Sequence, residues 1–154
     1  MFLIKDAVML KKSLLILFSY LPLSACGAEF EFSLGAGLQY SGVIGTQFSV
    51  KHKDSKYFVS AGLPGYSIGM QKIVSDDESH SAGFTVGRLL GTFDEGTKYG
   101  LITYNYHLDG FKNSGWVFGT GVGVYKDEPY RPFFGEQVNP STKVMFTLDI
   151  GYKF

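Results

Sequence analysis

The chain has 154 residues, in which 14 Lys and Arg balance 14 Asp and Glu, with 20 Gly, 14 Phe, 10 Tyr, one Trp and one Cys. That length suits one domain; zero net charge leaves no surplus of cations to neutralise phosphates, which excludes nucleic acid as a partner; and a single Cys admits neither an internal disulfide nor a cysteine zinc site, so no cofactor or metal is expected. An aromatic content of 16% excludes a disordered tail, and its pairing with so much glycine calls for small residues on one side and aromatics on the other.

The first segment is an address. Lys11 and Lys12 precede an apolar run from Leu14 to Leu21, which Pro22-Leu23-Ser24-Ala25-Cys26-Gly27-Ala28 ends. A basic start, an apolar stretch short of the roughly 20 residues of a membrane helix, and a small-residue end make residues 1–28 a cleaved signal peptide rather than a transmembrane anchor. Met9 opens Met-Leu-Lys-Lys-Ser, the usual start of a bacterial signal, and is read as the true initiator. Leu23-Ser24-Ala25-Cys26-Gly27 resembles a lipobox, which makes Cys26 a lipidation candidate. Cleavage before Glu29 is favoured, because a strand pattern follows at once where a lipoprotein would have a polar linker.

From Glu29 onward apolar residues recur with period two and no window has helical spacing. The first segment sets Phe30, Phe32, Leu34, Ala36, Leu38 and Tyr40 against Glu31, Ser33, Gly35, Gly37 and Gln39, and stops at Ser41-Gly42. The second alternates Ile44, Thr46, Phe48 and Val50 with Gly45, Gln47, Ser49 and Lys51. Tyr57 to Leu63 is a third, closed by Pro64-Gly65, and Ile68, Met70 and Val74 mark a weaker fourth. Ala82, Phe84 and Val86 define the fifth; Ile102, Tyr104, Tyr106 and Leu108 the sixth; Trp116, Phe118, Thr120, Val122 and Val124 the seventh, opposite Gly119, Gly121 and Gly123.

Eight segments of about ten residues match the length and even number of strands in a membrane-spanning barrel. The pattern is inside-out, with aromatics on one face and Gly, Ser, Thr and Gln on the other, as a lipid-embedded barrel with a crowded bore requires. A soluble lipocalin-like barrel would direct its bulky apolar residues inward. The expected fold is therefore an all-β, eight-stranded, antiparallel, up-and-down transmembrane β-barrel over 29–154, after the signal peptide.

The last segment places Phe146, Leu148, Ile150, Tyr152 and Phe154 on one face and ends the chain on the aromatic. It resembles the terminal targeting strand of Gram-negative outer-membrane barrels, and the whole is similar in plan to the small class that includes the outer-membrane protein A transmembrane domain. The resemblance implies an outer-membrane monomer, delivered by the barrel assembly machinery and surrounded by lipid and lipopolysaccharide, with both termini in the periplasm. The loops around Ser41-Gly42, Pro64-Gly65-Tyr66, 92–98 and 126–142 would then be external.

Candidate functional residues follow from that plan. Glu31, Lys51, Asp149 and Lys153 fall on inward faces and must be paired there; Glu31 with Lys153 is the expected pair. Tyr57, Tyr99, Tyr104, Tyr106, Trp116, Tyr125 and Tyr152 suit an interfacial girdle. Tyr130, Arg131, Phe133 and Phe134 stand in a proline-restrained loop that suits a binding role. His52, His80 and His107 lie near the periplasmic rim, and His80-Ser81 beside Glu78 is the candidate base and nucleophile, although adjacent strand residues point to opposite faces. The function expected is a structural or surface-interaction role without catalysis, with a lipid-A- or phospholipid-modifying enzyme and a narrow pore as alternatives.

Overall fold

A computed structural model describes residues 28–90, 96–127 and 141–154. Cys26 with the rest of the signal segment before residue 28, and the loop bearing Tyr130, Arg131, Phe133 and Phe134, lie outside the described residues. Among the described residues there are seven strands: β1 (Glu29–Gly37), β2 (Gly42–His52), β3 (Ser55–Ile73), β4 (His80–Leu90), β5 (Gly96–His107), β6 (Gly115–Asp127) and β7 (Thr142–Lys153). Each pairs antiparallel with the next, and β1 pairs with β7 to close a barrel.

The expected count of eight is thus corrected to seven. The third and fourth segments are one unbroken element, because pairing passes without a gap from β2, which takes β3 up to Pro64, to β4, which takes it from Gly65. β3 nevertheless reverses direction within itself. Its buried residues are Lys56, Phe58 and Ser60 before Leu63, and Gly65, Ser67 and Gln71 after it, so the alternation changes phase there. At the far ends of the element the Ile73 amide donates to the Asp54 carbonyl at 2.9 Å. Closure requires the same result: seven single passes would leave β1 parallel to β7, and they are antiparallel. The seven strands therefore make eight passes, with β3 supplying two neighbouring staves.

The start of β1 and the end of β7 lie at one end of this barrel, here the terminal end, with the turns at 53–54, 74–79 and 108–114. The far end carries a 3-10 turn, Leu38–Tyr40, and the reversal of β3.

Side chains are sorted opposite to a water-soluble domain. Large apolar residues stand outside, up to 81% exposed at Phe146 and 84% at Leu148. Ser33, Gln47, Gln71, Thr103 and Asn105 are buried inside. Bulk in the bore is made possible by glycines: a Cβ at Gly35 or Gly151 would strike the Tyr40 ring, one at Gly69 the Phe58 ring, and one at Gly87 the Tyr99 ring.

Three girdle or lipid-face expectations are corrected, the first being Tyr125, which lies opposite Tyr99 on the same inward side of β6 as the buried Val117. β1 ends at Gly37, whose φ of 109° favours glycine, and the chain then turns into the bore, so Tyr40 is buried rather than facing out. Tyr99 also points inward, and its hydroxyl donates to the Leu38 carbonyl at 2.7 Å.

Candidate functional site

Among the described residues, buried polar and charged side chains gather inside the bore in two layers. Near the far end, Gln39 is the hub of the first. Its amide N–H donates to Asp149 Oδ1 at 2.9 Å, and its side-chain nitrogen donates to Asp149 Oδ2 at 3.1 Å and Asn105 Oδ1 at 3.0 Å. Gln71 donates to Gln39 Oε1 at 3.0 Å, while Ser60 and Gln47 donate to its carbonyl. One residue from a turn thereby joins β2, both halves of β3, β5 and β7. Asp149 is a buried carboxylate whose acceptor capacity is met by donors from Gln39 and Thr147, as burial of a charge demands.

The second layer lies at the terminal end and is cationic. Glu31 sits between Lys51, 3.4 Å from Oε2, and Lys56, 3.3 Å from Oε1. The expected Glu31–Lys153 pair is replaced by these two contacts. Lys153 instead donates to the carbonyls of Gly110 and Phe111 at 2.8 and 2.9 Å, and Lys51 donates to that of Lys112 at 2.9 Å. The 108–114 turn thus folds across the mouth and supplies carbonyl dipoles to lysines that outnumber the buried carboxylate beside them. Phe111, fully buried, fills the opening, with Lys56 5.7 Å from its ring centroid. The turn is fixed from outside as well: the Phe111 amide donates to the Glu78 carbonyl, and Lys112 pairs with the Glu78 carboxylate, whose hydrogen bond raises the Lys112 pKa.

His80 and Ser81 are not brought together. His80 faces outward, its Nδ1 2.6 Å from the Tyr104 hydroxyl, in an aromatic group with Tyr106. Ser81 faces inward and is bonded to His107 Nε2 at 2.8 Å. Sequence reasoning missed this partner because it depends on the register that sets Ser81 opposite Asn105, two residues from His107. Both residues of the pair are fully buried, Phe111 packs edge-on to the imidazole at 5.0 Å, and His107 Nδ1 meets no carboxylate among the described residues. A nucleophile and base need an orienting third group and room for substrate, and the described residues provide neither.

No protein-family model, no curated protein and no solved structure matches this chain. Outward at the terminal end stand Tyr57, Tyr104, Tyr106, Trp116 and Tyr152, with Trp116 packed edge-on against Tyr152 at 5.4 Å and Tyr152 against Phe154 at 5.1 Å. Phe146, Leu148, Ile150, Tyr152 and Phe154 all fall on this outer face of β7 or its end. His52 closes β2 beside the 53–54 turn.

Proposed function

We propose that the chain is an exported integral outer-membrane β-barrel of a Gram-negative envelope, non-catalytic, with a structural or surface-interaction role. The observation that carries this reading is the reversal of polarity between the two faces of a closed sheet. Water around Phe48, Ile102, Phe146 and Leu148 would oppose folding at about 25 cal/mol for each Å² of apolar surface left wet. Hydrocarbon removes that cost, and a closed barrel is the sheet that leaves no unpaired edge in lipid. The terminal-end aromatics suit one membrane interface, and the apolar face of β7 suits the assembly signal of such proteins. The bore, occupied at one level by Gln39 and Tyr40 and at another by Phe111, favours a solid stave over a pore.

The test is expression in a Gram-negative host, followed by membrane fractionation and electrophoresis with and without boiling. Recovery in the outer membrane with a heat-dependent mobility shift is expected; a soluble periplasmic product without the shift would overturn the reading.

A further inference from the structure

β1 accompanies β7 over only part of its length. Their pairing runs from Ser33↔Lys153 to Ala36↔Ile150, β1 ends at Gly37, and the chain then turns into the bore. β7 extends up to Thr142, with β6 beside it on the other flank as far as Lys126. Exposure of its outward residues follows the loss of a neighbour: Ile150, next to β1, is 43% exposed, whereas Leu148, Phe146 and Val144 are 84%, 81% and 68% exposed. The Phe154 amide donates to the Phe32 carbonyl, and antiparallel strand residues two apart turn their N–H and C=O to the same side. Those of Phe146 and Val144 therefore point to the flank that β1 has left, and among the described residues they pair with nothing there. Between Val144 and Leu148 the usual guards of a free edge are missing, with no proline, no charge and no bulge in the pairing with β6. Beside the edge, Ala36, Leu38, Val43, Pro64, Leu89 and Thr147 line a recess of about 450 Å³.

We propose that this flank of β7 is a docking edge for an extended segment of another polypeptide, added antiparallel where the line of β1 breaks off. The chemistry of the edge sets the class of occupant. A row of backbone donors and acceptors is matched along its length by another extended backbone, and an acyl chain offers neither group. The segment's side chains follow from the wall it extends: large apolar residues outward, level with Phe146 and Leu148, and small residues inward. β6 shows that alternation on the other flank of β7, with Phe118 and Val122 outward and Gly119 and Gly121 inward. The edge needs the barrel but not the membrane, so it stands or falls apart from the cellular address.

The probe is a dye-labelled synthetic peptide with the β6 sequence, Gly115–Asp127, added to the folded full-length chain in detergent micelles. One peptide per chain should bind, and the Val144 and Phe146 amides, quick to exchange hydrogen in the chain alone, should become protected. The same peptide N-methylated at its Phe118, Thr120 and Val122 positions, the alternate amides that would meet the free flank, should bind weaker by about tenfold or more. Phe146→Pro removes a donor from the free flank while leaving the ladder to β6 complete; it should keep the heat-dependent shift and lose affinity by a similar factor. Three results overturn the edge and spare the barrel: no binding to a chain that shows the shift, equal binding of the methylated peptide, or slow exchange of the Val144 and Phe146 amides before any peptide is added, which would mean that the chain covers them itself. Absence of the shift overturns both.

Discussion

The Ile73 amide donates to the Asp54 carbonyl at 2.9 Å, although these residues flank opposite ends of a single strand element. This bond and the antiparallel closure of β1 on β7 state the same fact. β3 runs up and back, so the seven strands make an even number of passes round the barrel.

Continuing the pairing of Asp54 with Ile73 sets Val59 opposite Ile68, both outward and about half exposed. In a Cys26→Ala background, Val59→Cys with Ile68→Cys should form a disulfide under mild oxidation without loss of the folded band. A straight β3 would hold these positions about 30 Å apart, and no cross-link would form.

Much of this fold was legible in the sequence, because period two is a local signal. It assigned Phe48, Phe84, Ile102, Phe118 and Phe146 to the outer face, where the structure has them. It failed where the chain leaves the strand: Leu38 and Tyr40 continue the alternation of β1 perfectly well, and only the positive φ of Gly37 and the 3-10 turn take Tyr40 inside. A signal for it existed in Gly35 and Gly151, which register places opposite each other on β1 and β7 and which make room for one ring. The Ser81–His107 bond and the Glu31 contacts depend on register between strands, which periodicity does not encode.

The Gln39 hub should be costly to remove. Gln39→Ala keeps the backbone donor to Asp149 Oδ1 but removes the side-chain amide that donates to Asp149 Oδ2 and Asn105 and accepts from Gln71, and unfolding by urea in micelles should show a loss of about 2–4 kcal/mol. Asp149→Asn in the same background should recover part of it, since a neutral amide tolerates the lost donors better. A change within error for Gln39→Ala would mean that the bonds contribute nothing net.

Gly151→Ala places a methyl against the Tyr40 hydroxyl and ring. A destabilisation of about 1–3 kcal/mol is expected from overpacking. In a Tyr40→Ala background the same substitution should be close to neutral, so the double-mutant cycle should show coupling of similar size. Additive effects would indicate that the ring does not occupy the bore.

Conductance in planar bilayers separates a solid barrel from a pore. The wild-type chain should give no steady channels, and Phe111→Ala alone should not open one, because Gln39 and Tyr40 occupy the bore at a second level. Channels from the wild type would favour the pore.

Asp77, in the exposed 74–79 turn, has its pKa lowered to about 2 by hydrogen bonds from Ser75 and Ser79. A depressed carboxylate contributes fully above its ordinary value of 3.8 and loses that contribution as pH falls through the lowered value. Protection of the Ser79 amide against hydrogen exchange should therefore persist at pH 4 and fall as pH approaches about 2, and Asp77→Asn should abolish this dependence.

The most direct test of the central claim uses the single tryptophan. Trp116 is outward-facing, 46% exposed, and packed with Tyr152 in the terminal-end aromatic belt. With the chain folded into vesicles, lipids brominated close to the headgroup should quench its emission strongly, lipids brominated near the bilayer centre less, and aqueous acrylamide little. Quenching by acrylamide with none from either brominated lipid would place Trp116 in water and contradict the membrane barrel.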